Sequence, residues 1–276
     1  MTHSDEQLDA FARWERDAWE TRALPYADAL IRLTGGAVDA LLDAAAVGPR
    51  TRVLDVATGP GVVALVARDR GADVVAVDQS HAMVDVACAA GLDARQAGAE
   101  QLPFDDCAFD AVVAGFLLNH LARPAEAVVE LVRVCRGRVA LSVWDAPDAN
   151  PALGLFGPVV QSLGMSDVVP PGPQSDLYAD DDRLLALLGE AGLRDETVER
   201  VRWTISVEPG AWFDDVAAGT PRTGSVLAAA SAEARADLRS RYVEVATARY
   251  GDGDGLVVLP AQAVVASGRI AADDEA

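Results

Sequence analysis

Residues 53–65 read VLDVATGPGVVAL. An apolar run carries one acid, Asp55. A loop follows with Gly59 and Gly61 on either side of Pro60, and then a second apolar run opens a helix. Glycine has no Cβ, so such a loop can turn tightly and come close to a ligand. In a doubly wound sheet, the first strand-to-helix turn is the one nearest the ligand. Working outward, valine-rich runs recur as RVLDV (52–56), DVVAVD (73–78), FDAVVAGF (109–116) and RVALSVW (138–144). Each is almost continuously apolar, as expected of central strands covered by helices on both faces. Between them lie the helical stretches 61–71, closed by Gly71, 80–91, closed by Gly91, and 123–137, opened by Pro124 and closed by Gly137. Alternating strand and helix predicts an α/β fold with a parallel, doubly wound (Rossmann-like) sheet.

The flanks read differently. Residues 1–48 have helical periodicity throughout and form a candidate N-terminal cap or lid, leaving 49–270 as the main domain. Residues 146–176 are rich in proline and glycine and read as a loop-rich insertion above the ligand edge. Beyond them, 180–192 predicts a helix with acids in its first turn, 197–207 an alternating strand, 231–251 a long amphipathic helix, and 255–270 a last strand or strand pair. The tail 271–276 is expected to be disordered.

Composition removes several functions. The 276 residues are 51% hydrophobic, enough for a sizeable core. A net charge of −20 repels phosphate backbones, so no nucleic-acid partner is expected. The chain has no lysine, which excludes Schiff-base chemistry and a phosphate-loop lysine. Cys88, Cys107 and Cys135 are widely spaced, fitting buried thiols in a reducing compartment better than a disulfide frame or a zinc site. No apolar run approaches the ~20 residues of a membrane span. The expectation is a cytoplasmic monomer or homodimer with no membrane partner and no metal. Heavy use of Ala, Val, Arg and Asp suggests a GC-rich, actinobacterial genome and natural product biosynthesis.

Two ligand classes fit the loop. Residues 59–64 match the dinucleotide pattern GxGxxA, with Asp78 as ribose ligand, so a nicotinamide-dependent dehydrogenase is one reading. Asp55 favours another: a carboxylate at the end of the first strand would repel a pyrophosphate, but could orient the loop and face a cationic group. An acid, a glycine loop and a second acid suit a ligand with an amino acid part and a ribose, but no phosphate. S-adenosylmethionine has that composition.

Together with VVAVDQSHAMVDVA (74–87), AGAEQLPFDDCAFDAVVAGFLLNHL (97–121) and RVALSVW, the loop resembles the class I S-adenosylmethionine-dependent methyltransferases, in particular the small-molecule branch with the ubiquinone and menaquinone biosynthesis enzymes. The resemblance covers about residues 45–145. It implies a seven-stranded, mostly parallel sheet with the last strand antiparallel, and methyl transfer to a small, aromatic or polycyclic acceptor at O, N or C. A cyclase-like, non-methylating enzyme on the same scaffold remains an alternative. By the resemblance, Asp55, Ala57, Gly59 and Gly61 line the methionine end and Asp78 holds the ribose hydroxyls. Gln79 and Met83 lie against the adenine, Ala99 and Glu100 meet its edge, and Gly115 and Phe116 lie beneath the sulfonium. Two positions depart from the family: Ala57 stands where glycine is usual, and Gly98 where an acid often holds the adenine amino group, leaving Glu100 or a water to replace it.

A base is needed only if the acceptor loses a proton as it attacks. His120, after the fourth strand, and Asp145, at the end of the fifth, are the catalytic candidates; the other reading is that they cap and pack loops. Trp19, Tyr26, Asn119, Trp144, Trp212 and Arg222 are the acceptor-binding candidates, the aromatics to sandwich a flat molecule and Arg222 to meet a carboxylate. They could equally pack the cap on the sheet or face solvent.

Overall fold

In this computed structural model, residues 3–161, 168–170, 172–173 and 176–271 are described. Parts of the 146–176 insertion and all but the first residue of the 271–276 tail lie outside the described residues, and so do the readings made of them.

The strands are β1 (Arg52–Val56), β2 (Asp73–Asp78), β3 (Asp93–Gln96), β4 (Phe109–Gly115), β5 (Cys135–Trp144), β6 (Leu193–Val207) and β7 (Val257–Ile270). They form one sheet in the order β3-β2-β1-β4-β5-β7-β6. β7 runs antiparallel between β5 and β6, and the remaining neighbours are parallel. This is the seven-stranded arrangement that the resemblance implied, and residues 257–270 are a single strand rather than a pair.

Ahead of β1 come α1 (Asp5–Pro25), α2 (Ile31–Thr34) and α3 (Val38–Ala44). The sheet is flanked by α4 (Val62–Asp69), α5 (His81–Ala89) and α6 (Pro124–Val134). The short helices α7 (Pro151–Gly154) and α8 (Phe156–Gln161) follow β5, α9 (Asp181–Glu190) precedes β6, and α10 (Pro209–Gly219), α11 (Pro221–Ala229) and α12 (Ala232–Tyr250) lie between β6 and β7. One face of the sheet packs Leu54, Val112 and Leu141 against Val128 and Leu131 of α6 and Leu184 and Leu188 of α9. The other packs Val53, Val113 and Val265 against Leu41 and Leu42 of α3. α3 therefore covers the sheet itself. Exposure also corrects the cysteines: Cys88 and Cys107 are exposed and only Cys135 is buried.

β5 follows α6 without a loop, and Gly137, expected to end that helix, lies inside the strand. A Cβ there would stand 2.2 Å from the Asp110 carbonyl oxygen, beside an irregularity in the β4–β5 register. Its glycine serves a close backbone approach, not a helix end.

The order reverses between β1 and β4, and the loop after β1 lies at that point. Ala57, Gly59 and Gly61 have φ of 57°, 54° and 94°, three left-handed residues in five. Alanine at the first of them carries strain of about 1 kcal/mol relative to glycine. Gly61 caps α4 without a side chain. The cap comes from Asp55, whose Oδ2 accepts from the Ala64 amide at 3.1 Å and from Thr58 Oγ1 at 2.6 Å. Burial pushes the Asp55 carboxyl up to about 7, against the pull of those two bonds.

Removing this cap in Asp55→Ala should destabilise the fold by about 1–3 kcal/mol, read by denaturant unfolding. The pH dependence has a definite sign. With its folded pKa above the unfolded one, Asp55 contributes stability that is full below pH 4 and is lost as pH rises through about 7. The stability of the native chain relative to Asp55→Asn should therefore decline between pH 4 and 7; a flat difference would contradict the buried, capping carboxyl.

Candidate active site

The carboxyl ends of β1, β2, β4 and β5 meet at a cavity of about 380 Å³, within the range of small-molecule sites. Ala57, Gly59, Asp78, Gln79, Met83, Ala99 and Glu100 line one side. Asp78 Oδ2 accepts from the Gly59 amide at 2.8 Å and Oδ1 from the Ser80 amide at 2.9 Å. Burial, with further repulsion from Glu20, raises the Asp78 carboxyl to about 6 despite these bonds. A Cβ on Gly59 would meet nothing within 4 Å, so the loop faces open space there. The Glu100 carboxylate lies 3.6 Å from where a Cβ on Gly98 would stand, near the place an acid at 98 would occupy.

Gly115 and Phe116 form the floor. Phe116 has φ of 55° and stacks on Trp144, ring centroids 3.9 Å apart; a left-handed phenylalanine marks a position held by its surroundings. Trp19, Tyr26, Asn119, His120 and Trp144 line the remaining wall with Leu30, Leu33 and Val38. Tyr26 opens a π-helical turn, Tyr26–Leu30, directly after Pro25. Proline has no amide hydrogen, and the broken ladder widens locally. Trp19 stands edge-on to both Tyr26 and His120, at 5.3 and 5.0 Å. Burial raises the Tyr26 phenol above its ordinary value and keeps it protonated.

Several expected residues are placed elsewhere or are already engaged. Asp55 and Gly61 do not line the cavity; Asp55 caps α4, and a Cβ on Gly61 would strike Leu92 Cδ1 at 2.4 Å. Trp212 is completely buried among Phe156, Phe213 and Tyr242, its Nε1 donating to the Ala152 carbonyl at 2.8 Å, so it packs the core. Asp145 borders the cavity, but accepts from Arg200 Nε, Gln262 Nε2 and the Ala146 amide. A carboxylate so engaged is a structural clamp and not a free base. Arg222 also reaches the cavity, yet its guanidinium lies over the Phe11 ring and donates to the carbonyls of Asn119 and Pro173. It holds protein groups together instead of presenting a free cation.

Glu15 was not anticipated. Its carboxylate is 1% exposed, with Oε2 3.1 Å from His120 Nδ1 and Oε1 3.5 Å from Arg222 Nε. The signal was present: Phe11, Glu15 and Ala18 share one helical face, and an acid interrupts an otherwise apolar stripe. Glu20 accepts from Ser80 Oγ and the Ala82 amide, tying α1 to the start of α5 beside Asp78. Among the described residues, no cluster of His, Cys, Asp and Glu could hold a metal, and no helix is long and apolar enough to cross a membrane.

Residues 54–142 match the family model described as "Methyltransferase domain". The demethylmenaquinone methyltransferase of Beutenbergia cavernae is 34% identical over 175 residues, 56% of this chain and 70% of that protein. The demethylmenaquinone methyltransferase of Thermus thermophilus is 40% identical over 114 residues, 38% of this chain and about half, 51%, of its own length. Among solved structures, the YcgJ protein from Bacillus subtilis superposes with a TM-score of 0.56 at 20% identity, covering 86% of this chain and 98% of that one, a likeness of fold. With the loop after β1, Asp78 at the end of β2 and the antiparallel β7, these matches place the chain in the class I S-adenosylmethionine-dependent methyltransferases, and within them it resembles the quinone-biosynthesis enzymes.

Proposed function

We propose that the enzyme methylates a small, flat aromatic acceptor at oxygen, nitrogen or carbon. The observation that carries this reading is a single cavity joining the Gly59–Asp78 side to a wall of Trp19, Tyr26, Phe116 and Trp144. The residues present fit S-adenosylmethionine: the open face of Gly59 leaves room for it, and Asp78 offers a carboxylate to paired ribose hydroxyls. Ala57 and Gly59 would border its methionine end. Gln79 and Met83 would lie against the adenine, with Ala99 and Glu100 at its edge. Glu100 takes the place of the acid absent at Gly98. Gly115 and Phe116 would sit beneath the sulfonium. Bound there, the cofactor supplies an activated methyl group, which leaves the protein chiefly to align the acceptor. The aromatic wall does this by stacking and edge contact, Asn119 offers a polar contact, and His120 receives a proton. A cytoplasmic role in specialised metabolism belongs to the same proposal, supported by the free cysteines and the lysine-free, acidic composition.

The direct test is transfer of a labelled methyl group to a panel of phenols, quinols and aromatic amines. S-adenosylhomocysteine formation with a methyl mass gain in one of them supports the reading, and cofactor binding with a different mass change overturns it. Asp78→Ala should weaken S-adenosylhomocysteine binding by about 2–4 kcal/mol in calorimetry, since hydrogen bonds to a charged group are lost. Hydroxyls donating to Asp78 favour its ionised form, and the free carboxyl titrates near 6. Affinity should therefore fall as pH drops through about 6. Binding at pH 6 should release protons, read as a dependence of the calorimetric enthalpy on the buffer. His120→Ala should reduce turnover about 100-fold at unchanged cofactor affinity; normal turnover would return His120 to a packing role.

A further inference from the structure

We propose that Glu15 is a positioning residue of the transfer site: from α1 it holds His120 in the tautomer with hydrogen on Nδ1, so that Nε2 presents a lone pair to an acceptor hydroxyl. The proposal rests on the reading of His120 as proton acceptor and adds the group that makes it one.

The geometry is specific. Glu15 Oε2 lies 3.1 Å from His120 Nδ1. A carboxylate only accepts, so Nδ1 is the donor. On the other ring nitrogen, Asn119 Nδ2 lies 3.0 Å from Nε2, and in this orientation of the amide it donates to a lone pair there. Both partners therefore select the same neutral tautomer. Asn119 Oδ1 is buried without a protein partner, next to the nitrogen an acceptor would approach. His120 lies where the main cavity adjoins a second cleft of about 280 Å³, so it is reachable from both.

Glu15 is itself held in orientation. Its other oxygen, Oε1, has no hydrogen-bond partner and sits 3.5 Å from Arg222 Nε, which likewise lacks one. The charged groups around His120 include Glu15 from α1, Arg222 from α11, Asp78 from the end of β2, and Arg16 and Glu100, which line the second cleft with it. An acceptor hydroxyl would displace the Asn119 amide from Nε2. Its proton passes to Nε2 as the oxygen forms its bond to the methyl carbon. The bound donor would supply the methyl group and keep the electron pair of its carbon–sulfur bond, leaving a neutral thioether. The resulting imidazolium keeps both hydrogens paired, Nδ1–H on Glu15 and Nε2–H on the methylated oxygen or on Asn119 Oδ1. A carboxylate that orients an imidazole and stabilises its charged form is the logic of a triad acid.

Glu15→Gln separates this role from simple packing. Arg222 attracts the amide oxygen to the Oε1 side, which turns the amide NH2 toward Nδ1. Nδ1 must then accept, the ring hydrogen moves to Nε2, and the Asn119 amide turns so that its otherwise unpartnered Oδ1 accepts it. The chain has three histidines, so nitrogen-15 NMR of the histidine-labelled full chain resolves them. The expected result is Nδ1–H at His120 in the native protein, read without cofactor, and Nε2–H in Glu15→Gln. S-adenosylhomocysteine affinity should stay within about threefold, while turnover of any phenolic acceptor falls about 100-fold or more at similar KM. Nε2–H in the native protein overturns the proposal without any variant. So does a Glu15→Gln protein that keeps Nδ1–H or full turnover. A native protein that binds no S-adenosylhomocysteine would instead defeat the methyl-transfer reading, and the NMR result distinguishes the two failures.

Discussion

The site depends on one buried hydrogen-bond system, the Asp55 carboxylate reaching forward to Thr58 and the Ala64 amide. It stands in for the side-chain cap that Gly61 lacks, and it fixes a loop in which Ala57, Gly59 and Gly61 all adopt left-handed backbone. That loop presents the Gly59 amide to Asp78, so the ends of β1 and β2 are joined through one short chain of contacts. Burial raises both carboxyls, to about 7 and about 6, with repulsion from Asp78 added at Asp55 and from Glu20 at Asp78. A ligand rich in hydrogen-bond donors relieves Asp78, whereas an anionic one would compound the repulsion.

The second constraint is how α1 is attached. Much of its surface is polar, and it is fastened by long side chains. Glu20 reaches the start of α5, Arg22 donates to the Thr220 carbonyl and to Ser225 Oγ, and Glu15 meets His120 and Arg222. Charged groups of this kind are costly to bury unless they are paired. Their pairing across the cavity mouth ties the N-terminal segment to the strand ends, and Trp19 and Tyr26 reach the acceptor wall from the same segment.

The parts of this arrangement legible in the sequence were those set by continuous burial. β1, β2, β4 and β5 are buried through most of their length and read as apolar runs, while β3 is a four-residue edge strand, DARQ, with no apolar signature. Gly137 looked like a helix end because sequence shows the residue and not the carbonyl 2.2 Å from its missing side chain. The residues expected on the Gly59–Asp78 side came from the family resemblance, and most of them line one cavity because strand ends converge where the order reverses. Individual roles were harder: Asp55 and Trp212 have the right chemistry for a site, and only their hydrogen-bond partners show that one caps a helix and the other packs a core. Glu15 was passed over as one acid among many in a chain with 43.

The most direct check is a calorimetric titration of the native chain with S-adenosylhomocysteine, with NAD as the control ligand. Saturable micromolar binding of the first and none of the second is the result expected of an acidic pocket between Gly59 and Asp78 that disfavours a pyrophosphate. Binding of NAD, or silence toward S-adenosylhomocysteine, would contradict it and mean that the loop after β1 holds a different ligand.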